Sequence, residues 1–390
     1  MTTPTTRTPR FDRGRWARPG PETVRPGVHR IPLPLPDDGL RAVNVYALEG
    51  LTQGLVLIDG GWSIPESRKA LEDALGELGH DLGEITDVLV THIHRDHYTQ
   101  AVELRRLLGS RVHLGAGERR GLELLGELRT DEPTASLDTL RRAGAHDLAE
   151  RVAAMYDGDF DAAVWEAPDR WLTAEELHFG DTRLTVVPTP GHTQGHVVYL
   201  DQARGLLFSG DHVLPHITPS IGFELGGPAL PLGDYLDSLH LMTTLSDARL
   251  LPAHGPVGDS VHARVGELLA HHDDRLADTL AALGERARTA YEVAGSWAGP
   301  GAGSPSRTSG PSTRCSQSTR RRPTWMSSPP ADGPGAHRPT GSTGTQPWPV
   351  RAPARSPYGV RRGGRRSEGS RPHGLTAPSS LRRRRVRSRS

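Results

Sequence analysis

Apolar residues in the first part of the chain fall in short runs that are bounded by glycine, proline and aspartate. Three such runs, "GVHRIPLPL", "AVNVYALEG" and "GLVLIDGG", have the length and punctuation of strands. A different period follows over residues 65–79, where apolar positions recur three and four residues apart between Pro65 and Gly79. Proline in the first turn and glycine after the last are typical of helix ends, so this segment is predicted to be a helix.

Strands and helices continue to alternate along the chain. The next predicted elements are a strand over 87–91, a helix over 98–108, the strand "RVHLGA", a helix over 117–128 and a polar, mostly helical insertion over 130–170. A second strand-rich set comprises "ELHFG", "RLTVVPTPG", "HVVYLDQ", "GLLFSGD" and "ARLLPAHGP". Two successive strand-rich halves, each with helices, predict an α/β sandwich with the helices outside.

Two further helices are predicted near the second set of strands. One covers residues 233–246 and is expected to be capped by Asp234. The other covers 260–283 and carries an apolar stripe typical of a helix that packs on one face. The residues of this stripe are Val261, Val265, Leu268, Leu269, His272, Leu276, Leu280 and Leu283.

The formal net charge of +1 conceals two parts of opposite charge. Residues 301–390 hold 19 arginines, no lysine and two acids, which leaves 28 basic and 44 acidic residues in 1–300. An acidic body is a poor surface for a phosphate backbone. Nucleic acid is therefore not the favoured partner, and a small-molecule substrate is expected instead.

The cysteine content and the hydropathy of the chain bear on the compartment in which the protein is expected. The single cysteine, Cys315, allows neither a disulfide framework nor a cysteine-rich zinc site. No apolar run reaches the roughly 18–20 residues that span a bilayer, so no membrane partner is expected. Residues 1–26 lack the apolar core of a signal peptide and are expected to form a disordered leader. These features predict a cytoplasmic protein and leave its oligomeric state open.

The segment "THIHRDH" at residues 91–97 places three histidines and one aspartate directly after an apolar run. His92 and His94 lie two residues apart, so in an extended chain both side chains project to the same side. Asp96 and His97 follow the turn, where the chain can fold back and place a second pair of ligands near the first. Imidazole nitrogen and carboxylate oxygen suit Zn²⁺, Fe²⁺ or Mn²⁺, so the segment predicts a metal site at a strand end.

Three later loops repeat the order of strand, ligand and glycine. His192 lies in "PTPGHTQGH", Asp211 in "LLFSGDHV" and His254 in "LLPAHGP". Each follows an apolar strand, so the four loops can meet at one edge of the sheets and form a single centre.

Residues 27–285, with this H-x-H-x-D-H signature and the later His, Asp and His, resemble the metallo-β-lactamase-fold hydrolases. The resemblance implies a catalytic domain over 27–258, with an αβ/βα four-layer sandwich and a two-metal site at the sheet edge. The implied ligands are His92, His94 and His192 for the first metal, Asp96, His97 and His254 for the second, and Asp211 as the bridge. Asp59, in "LIDGGW", matches an acidic residue that orients the ligand loop through hydrogen bonds.

No cysteine occupies any of these positions, so the likeness is to the glyoxalase II-like arrangement and antibiotic hydrolysis is not expected. Two Zn²⁺ ions, or Fe or Mn in their place, would lower the pKa of a shared water towards about 7. The resulting hydroxide, steered by Asp96, would attack a carbonyl or phosphorus atom. The leading hypothesis is a binuclear zinc-dependent hydrolase of a small ester, thioester or lactone.

Three neighbouring residues are candidate substrate contacts. Tyr98 follows the metal-ligand segment, and His212 and His216 follow Asp211. Each has a structural alternative, because Tyr98 could begin the next helix and the two histidines could serve the loop itself.

The C-terminal side carries a second resemblance. Residues 259–297 are similar to the start of the winged-helix module found behind some β-lactamase-like hydrolases, including RNA-cleaving members. Residues 298–390, rich in arginine, proline, serine and glycine, are predicted to be disordered. Read one frame over, the codons of residues 313–333 could encode a segment with apolar residues at helical spacing. A frameshift is therefore one hypothesis for this tail. An RNA-binding tail is the other.

Three alternative functions stay open at this point. A metal-dependent endoribonuclease is favoured by the winged-helix likeness and disfavoured by the acidic body. An iron-dependent persulfide dioxygenase shares the fold but uses fewer ligands than this chain offers. A non-enzymatic, metal-stabilised scaffold is the last.

Overall fold

The computed structural model describes residues 14–36, 38–51, 54–128, 134–154, 162–222, 224–228 and 230–296. All of them belong to one unit, Met1–Met326, and a second unit, Ser327–Ser390, lies outside the described residues. Within the described ranges, two β-sheets carry helices on their outer faces. No helix in these ranges combines the length and the apolar character needed to cross a bilayer.

The first sheet has seven strands arranged in chain order. They are β1 (Glu22–Arg25), β2 (Val28–Pro34), β3 (Ala42–Leu51), β4 (Gly54–Ile58), β5 (Ile85–Leu89), β6 (Arg111–Gly115) and β7 (Arg170–Leu172). Strands β1 to β4 pair antiparallel through short turns. Strands β4 to β7 pair parallel, because helices make the crossovers between them. These helices are α1 (Pro65–Leu78), α2 (Arg95–Leu108), α3 (Arg119–Glu127), α4 (Thr134–Arg142) and α5 (His146–Ala153).

The second sheet has five strands in the order β12, β11, β10, β9, β8. They are β8 (Glu175–Phe179), β9 (Thr182–Pro188), β10 (Val197–Asp201), β11 (Leu206–Gly210) and β12 (Arg249–Pro252). The helix α6 (Pro231–Thr244) connects β11 to the parallel β12. The chain then continues into α7 (Val261–Leu283) and α8 (Ala290–Ala294).

Side-chain alternation along the strands builds three apolar layers. In β4, Leu55 and Leu57 pack towards α1 and α2, whereas Val56 and Ile58 pack between the sheets. Strand β10 behaves in the same way, because Tyr199 enters the layer between the sheets and its neighbours face α6 and α7. The period of two in a strand thus buries both faces of each sheet. The resulting order of helix, sheet, sheet and helix confirms the predicted αβ/βα sandwich.

The prediction of a disordered leader over residues 1–26 is wrong for residues 14–26. Residues 1–13 lie outside the described residues. A 3-10 helix, Arg15–Ala17, precedes β1, which pairs with β2. The buried guanidinium of Arg30 holds both of these elements in place, because it donates to Glu22 Oε2 at 2.6 Å and to the Trp16 carbonyl at 2.7 Å. A buried cation needs such partners, and composition does not reveal them.

Two predicted helix starts are wrong. Helix α2 begins at Arg95 and not at residue 98, so Asp96 lies in its first turn. Helix α6 begins at Pro231, and Asp234 lies in its first turn without capping it.

The apolar stripe predicted along 260–283 is covered only in its first half. Val261, Val265 and Leu268 are buried, whereas Leu276 and Leu280 are exposed. The winged-helix likeness of 259–297 and the domain boundaries stay predictions. The tail over 298–390 lies outside the described residues.

Candidate metal centre

The seven predicted ligands converge at one edge of the two sheets. The turn after β5 and the first turn of α2 supply His92, His94, Asp96 and His97, and the turns after β9, β11 and β12 supply His192, Asp211 and His254. They form two groups, each with its ligand atoms within 4.8 Å of one another: one of His92, His94, His192 and Asp211, the other of Asp96, His97 and His254. The structure therefore brings together the residues that were far apart in sequence.

Three ring nitrogens meet in the first group. His94 Nδ1 lies 3.0 Å from His92 Nε2 and 3.0 Å from His192 Nε2. The outer nitrogens are occupied, because His92 Nδ1 lies 3.1 Å from Thr91 Oγ1 and His192 Nδ1 donates to the Ser220 carbonyl at 2.7 Å. These outer bonds direct an unprotonated Nε2 of His92 and of His192 inward, as metal binding requires.

The second group is oriented in the same manner. His254 Nδ1 donates to the Ala42 carbonyl at 2.8 Å, and His97 Nδ1 donates to Asp59 Oδ2 at 2.9 Å. Asp96 Oδ2 lies 3.4 Å from His254 Nε2 and 3.6 Å from His97 Nε2. Both Nε2 atoms thus point at the Asp96 carboxylate across a gap that is wider than a hydrogen bond.

Asp211 stands between the two groups. Its Oδ2 lies 3.4 Å from His192 Nε2, whereas its Oδ1 lies 3.4 Å from His254 Nε2 and 3.7 Å from His97 Nε2. One carboxylate therefore offers a different oxygen to each group.

Asp59 supports ligands of both groups through buried hydrogen bonds. Its Oδ1 accepts from the Thr91 backbone N–H at 2.7 Å and from the Thr91 hydroxyl at 2.9 Å. Thr91 Oγ1 in turn contacts His92, and Asp59 Oδ2 accepts directly from His97. Asp59 lies at φ 63°, in the left-handed region that few residues other than glycine occupy. These hydrogen bonds connect Asp59 to the ligand loop, and its role in orienting a metal ligand stays a prediction.

Buried histidines and carboxylates at this edge shift one another's pKa values in opposite directions. Burial and the neighbouring His192 lower the pKa of His94 to about 3. Burial also disfavours charge on His97, but the carboxylates of Asp59, Asp96 and Asp211 outweigh it and raise the pKa of His97 to about 10. Burial would likewise raise the pKa of Asp211, yet His254 and His97 outweigh it and lower that pKa. The buried carboxylates thus favour a positive charge at this edge.

The donor set fits a divalent metal. His97 Nε2, His254 Nε2 and Asp211 Oδ1 are buried and have no hydrogen-bond partner among the described residues. Unpartnered buried polar atoms are destabilising, and a metal ion at this point would satisfy all three. Histidine nitrogen with carboxylate oxygen suits zinc, and iron or manganese also accept such ligands.

His196 is a supporting residue that the sequence did not single out. It is fully buried, its Nδ1 lies 2.8 Å from Thr189 Oγ1, and its Nε2 accepts from the Asp211 backbone N–H at 3.2 Å. It therefore holds the backbone of Asp211 in place. Its place in "PTPGHTQGH", four residues after a ligand, was the available signal.

Tyr98, proposed as a substrate contact, is placed in the hydrophobic core. Its ring is fully buried and stacks on Trp165 at 6.4 Å, and its hydroxyl donates to the Glu166 carbonyl. The substrate-contact prediction is therefore wrong for Tyr98, because the first turn of α2 turns this side chain towards the helix-side layer.

His212 and His216 differ in exposure. His212 is fully buried, with its ring against Tyr235 at 5.3 Å, and burial lowers the pKa of its imidazole to about 3. Packing is thus its observed role, and a substrate contact is not supported for it. His216 is exposed next to Gly255, and its substrate contact stays a prediction.

Comparison with known proteins agrees with the fold. The family model described as the metallo-β-lactamase superfamily matches residues 38–254. The range takes in every ligand discussed above and more than half of the chain. The chain belongs to the metallo-β-lactamase superfamily, and it is a hydrolase of that family whose His/Asp cluster could bind metal.

Several relatives carry hydrolase or lactamase-like names. The "Probable metallo-hydrolase YqjP" of Bacillus subtilis is 24% identical over 68% of this chain and 82% of its own length. The "Lactamase-like protein nscB" of Aspergillus fumigatus is 37% identical to this chain. The match covers 63% of this chain and 57% of the length of that relative. Among solved structures, a metallo-β-lactamase family protein of Thermus thermophilus is similar at 30% identity and a TM-score of 0.59. That match covers 70% of this chain and 87% of the other.

Proposed function

We propose that the chain is a binuclear zinc-dependent hydrolase that cleaves a small ester, thioester or lactone. One observation carries the proposal, namely that Asp211 offers one oxygen to His192 and the other to His97 and His254. A single-metal centre has no need of a carboxylate that faces two histidine groups.

Two divalent ions held by these residues would supply an activated water at neutral pH and would polarise the scissile carbonyl. The protein's own part is positioning. Hydrogen bonds to Thr91, Ser220, Asp59 and Ala42 fix the inward nitrogen of the buried imidazoles. Asp96, in the first turn of α2 beside His254, would steer the activated water towards the scissile carbonyl.

The names of the relatives support hydrolysis without naming a substrate for this chain. The donor set of histidine and aspartate, with no cysteine, favours the ester, thioester and lactone class over antibiotics. The acidic body makes RNA the less favoured substrate.

Metal content and turnover of the full chain test the proposal together. Purified without chelators, the protein is expected to hold about two zinc ions by mass spectrometry, as a two-metal site requires. It should hydrolyse members of a panel of thioesters, lactones and esters. Asp211→Asn should lose metal and activity, whereas His178→Ala, a matched histidine exposed on β8, should lose neither.

Other outcomes point to other functions. About one iron per chain together with oxygen consumption on a persulfide would favour the dioxygenase. Cleavage of RNA but of no small ester would favour the ribonuclease. Metal at full stoichiometry with no turnover on any class would leave the scaffold as the best description.

A further inference from the structure

Glu118 is a buried carboxyl group that touches both metal-ligand loops without touching a ligand. It lies between β6 and α3 and is fully buried. Its Oε1 accepts from the Ile93 backbone N–H at 3.2 Å and from the Thr193 hydroxyl at 2.5 Å. Ile93 separates His92 from His94, and Thr193 follows His192. A single oxygen atom therefore joins the two segments that supply the three histidines of the first group.

A close backbone crossing brings Glu118 to this position. A Cβ atom added to Gly195 would lie 2.1 Å from Glu118 N, and one added to Gly115 would lie 1.9 Å from the Gly195 carbonyl oxygen. A Cβ atom on Gly117 would lie 2.5 Å from the Gln194 carbonyl oxygen. The turn after β6 and the loop after His192 thus touch backbone to backbone, which only glycine allows. The contact leaves little freedom for Glu118 to move away from either loop.

Burial also sets the chemical state of this group. Desolvation raises the pKa of Glu118 to about 8, in spite of the Thr193 hydrogen bond, and the nearby Glu224 carboxyl adds to the rise. A neutral carboxyl group can still accept both hydrogen bonds at Oε1, so the contact does not require a buried charge.

We propose that Glu118 is a positioning residue that fixes the separation of His94 from His192 and so sets the metal affinity of the first group. The 3.0 Å spacing of the two inward nitrogens spans two loops that are about a hundred residues apart in sequence. Thr193 is directly bonded to His192, and Ile93 to both His92 and His94, so a shift at either contact is passed to a ligand. The inference rests on the proposed metal function.

Metal titration of full-length variants tests the role. Competition with a chromophoric chelator gives the affinity for zinc, and Co²⁺ absorption reports the geometry of the first group. Glu118→Ala should weaken zinc binding at the first group about 10- to 100-fold, the range for residues that orient ligands. Glu118→Gln keeps an oxygen acceptor and should retain wild-type affinity and the wild-type Co²⁺ spectrum.

Thr193 provides a second route if Glu118→Ala does not fold. Thr193→Val removes only the hydroxyl donor and should weaken the same step, whereas Thr193→Ser keeps the donor and should not. Because one hydrogen bond joins the two residues, Glu118→Ala and Thr193→Val should not be additive when combined.

Asp87→Asn is the matched control for a lost buried carboxylate. Asp87 is buried on β5 and bonds His113 and Arg111, away from the ligand loops. It should lower the thermal stability of the metal-free protein without changing metal affinity or the Co²⁺ spectrum. Unchanged affinity in Thr193→Val and in folded Glu118→Ala would overturn the inference, as would an equal loss in Asp87→Asn. Wild-type protein that binds no metal would instead overturn the proposed function.

Discussion

Replacing Asp59 with asparagine tests whether hydrogen bonds behind the ligands determine metal affinity. Asp59 accepts three hydrogen bonds, two from Thr91 at 2.7 and 2.9 Å and one from His97 at 2.9 Å. Asparagine has the same shape and tolerates the φ of 63° at this position, so backbone strain does not change. The substitution therefore changes charge and hydrogen bonding alone.

The amide cannot accept all three hydrogen bonds. Whichever way it is turned, its NH₂ group faces a donor, either the Thr91 backbone N–H or His97 Nδ1–H. If the NH₂ group faces His97, the imidazole of His97 must carry its proton on Nε2 instead of Nδ1. Nε2 is the atom that points towards Asp96 and Asp211. Loss of a hydrogen bond to a charged group costs about 1.5–3 kcal/mol. At about 1.4 kcal/mol for each factor of ten, metal affinity should fall about 10- to 100-fold.

Chelator competition on the purified variant measures this change. The affected step should be the one that uses His97, and near-UV spectra should show that the fold is retained. Asp87→Asn, which alters a buried carboxylate elsewhere on β5, should bind metal as the wild type does. Wild-type affinity in Asp59→Asn would refute the reasoning, because it would mean that the orientation of His97 does not limit binding.

Three further outcomes follow from the described contacts. Chelation should lower the apparent Tm and added zinc should restore it, because metal at about 100 times its Kd stabilises the fold by about 2.7 kcal/mol per site. An unchanged Tm would argue against metal binding. Tyr98→Phe should lower the free energy of unfolding by about 1 kcal/mol, measured in urea, with KM unaltered; a raised KM would restore Tyr98 as a substrate contact. Because the pKa of Glu118 is raised to about 8, the folded protein keeps a proton that the unfolded chain has lost above pH 4.5. Its stability should therefore fall relative to Glu118→Gln as pH rises from 4.5 to 8, and a constant difference in urea unfolding across that range would contradict this.

The sequence by itself predicted the layers and the candidate ligands. Short apolar runs bounded by glycine and aspartate, such as the one that became β4, predicted strands, and the structure buries both faces of that strand. The same runs located candidate ligands, since His92, Asp211 and His254 each lie within three residues of a strand end. These features are local in the chain, which is why reasoning from short segments recovered them.

Contacts between distant segments were decided only by the tertiary structure. The role of His196 behind Asp211 depends on the pairing of β10 with β11, and Glu118 reaches Thr193 only through the glycine crossing. Tyr98 looked like a residue of the site because it adjoins His97 in sequence. The turn of α2 places its ring in the core instead, because successive helical residues point about 100° apart. Sequence proximity to a ligand therefore did not place a side chain in the site, whereas packing against a second segment did.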